Sequence, residues 1–204
     1  MQRRERIRVT NAGRRLLPGV LCAGLVLAGC GGSSTSNTSS AKAAATSESP
    51  PSVAIEVTIP ALRAEHRIPK RYTCDGADVS LPVRWADVPS NTAELAVFVL
   101  NLQPVHGQFF FDWAVAGLSP TSHGISTGTL PRGAVVGRNS FGRVGYSICP
   151  AKGTSDEHYV VRLVALPHPL AASPGFDAEA VYREAERSAS VVGLTGGVYK
   201  PPRA

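Results

Sequence analysis

The chain has 204 residues, enough for one domain of ordinary size and a tail. Hydrophobic residues at 43% and charged residues at 18% exclude a wholly disordered protein, and 20 glycines with 16 prolines favour a loop-rich fold over a helical bundle. Of the net charge of +6, residues 1–29 supply +5, because they hold six arginines and one glutamate. The remainder carries 15 basic and 14 acidic residues, a balance that favours neither nucleic acid nor an anionic membrane as a partner.

The first 29 residues are predicted to be a signal peptide. A basic segment, residues 1–15, precedes the mostly apolar residues 16–27. That apolar segment is too short to span a bilayer, which needs about 20 residues, but it suits the hydrophobic part of a secretion signal. The pair Arg14-Arg15 leaves twin-arginine export open beside the general secretory route.

Cys30 is the predicted lipidation site. It follows Leu27-Ala28-Gly29, and the four residues together resemble the lipobox of bacterial lipoproteins. The resemblance implies that acyl chains, palmitate among them, are attached to Cys30 and that the leader is cut off after Gly29. Such chains would hold the protein on the outer, extracytoplasmic face of the cell membrane. The alternative is an ordinary signal peptide with a cysteine there by chance.

Residues 30–52 are predicted to be the lipidated cysteine and a disordered tether. Gly31 to Ser52 is rich in serine, threonine, alanine and glycine, and only Lys42 and Glu48 are charged. Such a segment cannot bury a hydrophobic core. As a flexible coil of 22 residues it would span roughly 26 Å, which lifts a domain clear of a membrane surface.

Residues 53–200 are predicted to form a mainly β domain, an antiparallel sandwich with one helix near the C-terminus. Turn-forming prolines and glycines separate short runs of β-branched, aromatic and aliphatic residues. Asp177 is a plausible N-cap for the helix, and Gly193 is predicted to end it. The predicted strands are residues 53–59, 93–102, 109–118, 134–136 and 159–166.

Three stretches of the domain resemble one family: Ile68–Pro82, Val136–Tyr146 with the Cys149-Pro150 that follows, and Tyr159–Leu166. Together they look like the bacterial branch of the phosphatidylethanolamine-binding protein family, also called Raf-kinase-inhibitor-like. The resemblance covers residues 53–199 and implies an antiparallel β-sandwich with a small pocket for phosphate-like or carboxylate anions.

Cys74 and Cys149 remain in a domain predicted to be exported, where disulfides persist. The residues alone leave open a disulfide or two separate buried thiols. The resemblance favours the disulfide, because bacterial members often pair cysteines at these places. A bridge closing a 75-residue loop would stabilise the fold by roughly 4 kcal/mol.

The departures from the family fall on the implied pocket. Asn101–Val105 stands where the family has Asp-Pro-Asp-Ala-Pro, and Asp112-Trp113 replaces His-Trp. The family's Pro-His-Arg-Tyr is Asp156–Tyr159 here, so that His158 falls one place late. Either the ligand differs from the family's or the pocket has decayed on a persisting scaffold. The residues implied to bind ligand are Asp78, Asp112, Trp113, Tyr146, Pro150, Glu157 and His158.

The expected function is therefore non-catalytic binding of a small anion or of an envelope protein partner that the sequence does not identify, with no cofactor. One alternative is a module that inhibits a hydrolase or kinase, as some family members do. Another is a metal-dependent hydrolase using Asp78, Asp112, Glu157 and His158, although solvated loop acids explain these residues as well. Gly124–Gly128 matches the G-x-S-x-G pattern of serine hydrolases, but no helix is predicted after it, and a glycine-rich loop is expected.

Overall fold

A computed structural model describes residues 55–105, 108–150 and 156–202. The predicted signal peptide, the lipidation site Cys30 and the tether lie outside the described residues. No helix in the described part of the chain is long and apolar enough to cross a membrane.

The described residues form two antiparallel sheets and one α-helix. The strands are β1 (Glu56–Thr58), β2 (Val83–Ala86), β3 (Glu94–Val105), β4 (Gln108–Leu118), β5 (Gly124–Ile125), β6 (Val135–Val136), β7 (Glu157–Leu166) and β8 (Val191–Tyr199), and the helix is α1 (Ala178–Ser188). One sheet has the order β1-β2-β5 and the other β6-β4-β3-β7-β8. Two single-turn 3-10 helices, Ala64–His66 and Lys70–Tyr72, lie between β1 and β2.

The main core lies between the two sheets. Val57, Val83 and Trp85 from the small sheet pack in one cluster with Val97 and Leu163 of the large sheet. On strands with a period of two, side chains at alternate positions face the same side, which gives β2 its alternation of buried and exposed residues. The predicted sandwich is therefore confirmed.

A second core lies on the other face of the large sheet, under α1. Phe98, Phe111 and Ala185 belong to this cluster, and Tyr182 of the helix packs edge-on against Phe98 with ring centroids 5.1 Å apart. Strand β3 is consequently buried on both faces, which explains why its sequence is a continuous apolar run and does not alternate. Asp177 caps the helix as predicted, since its side chain accepts a hydrogen bond from the N–H of Ala180 at 2.8 Å.

The predicted end of the helix at Gly193 is wrong. The helix ends at Ser188, and Gly193 lies inside β8, which pairs with β7. A β-carbon on Gly193 would lie 2.5 Å from Cγ2 of Val57, so glycine is needed where β8 approaches β1. The strands β2, β5 and β8 were not predicted. The strand β5 has only two residues, and β8 is interrupted by glycines.

The cysteines Cys74 and Cys149 form a disulfide, with Cα atoms 5.1 Å apart. The N–H of Cys74 also donates to the carbonyl of Ile148 at 2.9 Å. The bridge thus joins the loop after the second 3-10 helix to the segment that precedes β7, and both segments carry residues of the candidate site.

Candidate ligand site

A β-bulge in β4 places Asp112 at the candidate site. Phe111 pairs with Leu100 and Trp113 pairs with Val99, so that Asp112 is an extra residue with no partner on β3. Phe111 packs under the helix, whereas Trp113 packs between the sheets. Bulges of this kind redirect side chains and are common beside functional sites.

The carboxyl group of Asp112 is buried without a hydrogen bond. The residue is 1% exposed, and neither Oδ1 nor Oδ2 has a partner within hydrogen-bond geometry. Burial raises the pKa of Asp112 well above its ordinary value, and the negative charges of Glu157 and Asp78 raise it further. The N–H groups of Asn101 and Cys149 lower the pKa in part, although neither is close and straight enough to make a hydrogen bond with the carboxyl group.

Glu157 is the second buried acid of the site. It is 3% exposed, and its Oε2 accepts hydrogen bonds from Nδ2 of Asn101 at 2.7 Å and from the hydroxyl of Tyr159 at 2.8 Å. Asn101 lies on β3 directly opposite Tyr159 on β7, which brings both donors to the same oxygen. Glu157 is therefore held by hydrogen bonds beside Asp112.

His158 does not belong to this cluster. It is exposed, because it lies between Glu157 and Tyr159 on β7, and adjacent side chains of a strand point to opposite faces. Its backbone N–H donates to the side chain of Gln103 at 3.2 Å. The prediction that His158 is one of the ligand-binding residues is corrected accordingly: Glu157 takes the inward place.

Asp78 supplies the third carboxyl group. It has a left-handed backbone with φ of 49°, and its Oδ2 accepts a hydrogen bond from Oγ of Ser147 at 2.7 Å. The guanidinium of Arg143 donates to the same serine oxygen at 3.0 Å. The other oxygen of Asp78, Oδ1, is buried without a hydrogen-bond partner.

Aromatic rings close the site on the remaining side. The ring of Tyr146 packs edge-on against Trp113 at 5.5 Å between centroids, and its hydroxyl donates to the carbonyl of Tyr72 at 2.7 Å. Burial, together with the charges of Asp112 and Asp78, raises the pKa of Tyr146 well above its ordinary value. Burial and the hydrogen bond to Glu157 raise the pKa of Tyr159. Both phenols therefore stay neutral, and each already donates its single O–H, to Tyr72 or to Glu157.

Five of the seven predicted ligand residues come together here: Asp78, Asp112, Trp113, Tyr146 and Glu157. Pro150 is half-buried and follows Cys149, whose N–H faces Asp112. Asn101, Ser147 and Tyr159 were not predicted to take part. Strand periodicity was a usable signal for Tyr159, since it is two residues after Glu157 and shares its face.

The arrangement offers hydrogen-bond acceptors and little positive charge. Three carboxyl oxygens, two on Asp112 and one on Asp78, are buried without a partner. Among the described residues, no group of three or more histidine, cysteine, aspartate or glutamate side chains is arranged to hold a metal ion. The G-x-S-x-G match at Gly124–Gly128 forms the short strand β5 and a turn, with Ser126 exposed, and no helix follows it.

The sequence matches the profile of a family described as phosphatidylethanolamine-binding protein over residues 58–199. The chain is 34% identical over 158 residues to a Mycobacterium tuberculosis protein named putative lipoprotein LppC, covering 75% of this chain and 78% of that one. It is 35% identical over 126 residues to the UPF0098 protein of Methanothermobacter thermautotrophicus, covering 59% of this chain and 82% of that one.

Solved structures show the same fold. The crystal structure of YbcL from Escherichia coli, described as a member of the mammalian PEBP family, superimposes with a TM-score of 0.68 at 24% identity and covers 74% of this chain and all of the other. The Chlamydia trachomatis homologue CT736 superimposes with a TM-score of 0.66 at 25% identity, covering 73% and 99% of the two chains. From sequence profile and fold together, the chain belongs to the phosphatidylethanolamine-binding protein family.

Proposed function

We propose that this protein is a lipoprotein of the cell envelope whose domain binds a small molecule without transforming it. The lipobox at Cys30 and the name of the M. tuberculosis relative support membrane anchoring. We further propose that the ligand presents a hydrogen-bond donor, an amine above all, to Asp112. The proposed ligand is therefore a cation, whereas the family resemblance implied an anion.

The observation that carries the proposal is the chemistry of the two places where the family has histidines. Here those places hold Asp112 and Glu157, both buried. Two carboxylates near a phosphate would oppose its binding, because like charges at ~4 Å repel by roughly 4 kcal/mol at an effective dielectric constant of 20.

An amine meets the opposite conditions. Its ammonium group can donate to the unpartnered oxygens of Asp112 and Asp78, and it would favour the ionised form of Asp112 by supplying an opposite charge. The rings of Trp113 and Tyr146 flank the site and favour a cation through their π-electrons. Asp78 and Tyr146 are half-buried, whereas Asp112, Trp113 and Glu157 are buried, so the first two are the more exposed members of the cluster.

Calorimetric titration with ethanolamine and with inorganic phosphate tests the proposal. The unmodified protein should bind ethanolamine more tightly than phosphate at pH 7, and Asp112→Asn should weaken ethanolamine binding by about tenfold or more. Because an ammonium group favours the ionised form of Asp112, any proton released on binding makes the measured heat vary with the ionisation enthalpy of the buffer. Asp112→His should instead gain phosphate binding.

The variant His158→Asn is the matched control, because it alters an exposed neighbour of Glu157 and should leave both affinities unchanged. Tight phosphate binding by the unmodified protein, with no gain in Asp112→His, would contradict the proposed site. If neither compound binds to any variant, the amine site is wrong, and the interaction-module alternative becomes the better account of the fold.

A further inference from the structure

A basic cleft of about 490 Å³ lies at the C-terminal end of β8, apart from the carboxyl cluster. We define it by its five cationic side chains, Arg63, Arg67, Lys70, Arg71 and Lys200. These residues come from the segment of the two 3-10 helices and from the residue after β8. The nearly neutral net charge of the residues after the leader does not reveal that these five positive charges lie close together.

The acids around the basic cleft neutralise only part of its charge. Arg67 pairs with Glu65 at 3.3 Å and with Asp156 at 3.7 Å, and Lys200 approaches the same Asp156 at 3.9 Å. Asp75 accepts a hydrogen bond at 2.7 Å from the hydroxyl of Tyr199, which also lines the cleft.

The other three cations of the cleft are available to a ligand. Arg63 and Lys70 are exposed and make no ion pair with any described residue. Arg71 is exposed as well and stacks over the ring of Tyr72 at 5.0 Å. The cleft therefore keeps an excess of positive charge after its own ion pairs are counted.

The backbone around the basic cleft is fixed before any ligand binds. The N–H of Ile68 donates to the carbonyl of Val198 at 2.9 Å, which ties the segment to β8. The N–H of Arg63 donates to the carbonyl of Arg67 at 2.9 Å and closes the first turn. A site held in this way loses less conformational entropy on binding than a flexible loop does.

We propose that the basic cleft is a second binding site, for a molecule that carries phosphate groups. Arginine and lysine donate charge-assisted hydrogen bonds that suit phosphate oxygens, and several cations together suit more than one negative charge. The walls formed by Ile68, Pro69 and Val198 can contact the organic part of such a molecule. The phosphate can come from a soluble metabolite or from the headgroup of an anionic phospholipid.

Inorganic pyrophosphate is the probe for this site, titrated into the full-length protein at 50 and 150 mM salt. Binding should be saturable and weaker at the higher salt. The double variant Arg63→Gln, Lys70→Gln should lower the affinity at least about tenfold, because it removes two cations that donate charge-assisted hydrogen bonds to phosphate. The control Arg132→Gln, Arg187→Gln removes the same charge from exposed positions outside the cleft and should change the affinity by less than about twofold.

Short-chain lipids distinguish the two sources of phosphate. Displacement of pyrophosphate by dihexanoyl phosphatidylglycerol but not by dihexanoyl phosphatidylcholine would support a headgroup. Displacement by neither would support a soluble ligand. Absence of saturable pyrophosphate binding, or an equal loss in both double variants, would overturn the proposal. So would pyrophosphate binding that Asp112→His increases and the cleft variant leaves unchanged, since it would assign the anion to the carboxyl cluster.

Discussion

Two buried acids on neighbouring strands of the large sheet differ in their hydrogen bonding. Glu94, at the start of β3, is 6% exposed, and both of its oxygens accept backbone hydrogen bonds, from Gly117 at 2.9 Å and Leu170 at 3.2 Å. Asp112, in the bulge of β4, is 1% exposed, and neither of its oxygens has a partner. Burial raises the pKa of both carboxyl groups; two full hydrogen bonds oppose this at Glu94, whereas only the more distant N–H groups of Asn101 and Cys149 oppose it at Asp112.

The difference separates a structural acid from a candidate ligand-binding acid. Glu94 joins the start of β3 to the end of β4 and to the connection between β7 and α1, so its hydrogen bonds hold three segments together. Buried polar atoms are nearly always satisfied in native proteins, and an exception needs its own explanation. A ligand that completes the hydrogen bonding of Asp112 supplies that explanation.

Removing the disulfide should cause the largest change in the free energy of unfolding. In the chain-entropy account, a bridge across 75 residues stabilises by roughly 4 kcal/mol, so Cys74→Ser, Cys149→Ser should lower the free energy of unfolding by about that amount. Urea unfolding measures the loss. The N–H of Cys149 faces Asp112, whereas Glu94 does not contact the bridge, and the local effects should therefore differ.

Hydrogen exchange resolves those local effects. The amide of Ser147, which donates to the carbonyl of Asp112 at 3.0 Å, should lose protection from exchange in the serine variant. The amide of Gly117, which donates to Glu94, should stay protected unless the whole fold opens. Equal loss of protection at both amides would show that the bridge stabilises the whole fold evenly and does not secure the carboxyl cluster.

Glu94→Ala should have the next largest effect, a loss of about 2–3 kcal/mol in the free energy of unfolding. The substitution leaves the N–H groups of Gly117 and Leu170 without their acceptor in a partly buried place. Glu94→Gln keeps one acceptor oxygen and should recover part of the loss. A Glu94→Ala variant as stable as the unmodified protein would remove the distinction between the two acids.

The sequence predicted the sandwich because its signals were local and strong. Residues 53–59, which contain β1, alternate between apolar and polar side chains, and the apolar run of β3 fits a strand covered on both sides. The short β5 and the glycine-rich β8 carry no such signal, since their pairing depends on neighbours that are distant in the chain. Gly193 was interpreted as a helix end because glycine is common there, whereas its actual role is close contact with β1.

The candidate site was predictable in its residue types and less so in its geometry. The family resemblance implies that Asp112 and Glu157 stand at the places of the family's histidines. Whether His158 or Glu157 turns inward depends on strand register, and a shift of one residue exchanges the two faces. The bulge at Asp112 is also invisible in the sequence, because it exists only in the pairing of β4 with β3.

Of the disulfide variant, Glu94→Ala and Asp112→Asn, the last should change the free energy of unfolding least. It should raise the stability of the fold. An asparagine avoids burying a charge, so the free energy of unfolding should increase by roughly 1–2 kcal/mol at pH 8. The sign follows from linkage: a carboxyl group with a raised pKa in the folded state binds more protons there than in the unfolded chain. The stability of the unmodified protein should then decrease as pH rises above about 4, the ordinary range of an aspartate, and level off once the folded group has ionised.

The gain from Asp112→Asn should accordingly vanish below about pH 4, where the aspartate is protonated in both states. Urea unfolding at several pH values between 4 and 8 measures this dependence, and Glu94→Gln measured in parallel supplies the contrast, because it removes an acceptor and should stay destabilising at neutral pH. Saturating ethanolamine should reverse the order of stability, since only the aspartate can pair with the ammonium. An Asp112→Asn gain that is constant from pH 4 to 8 would mean that packing, and not the buried charge, sets the energetics of this position.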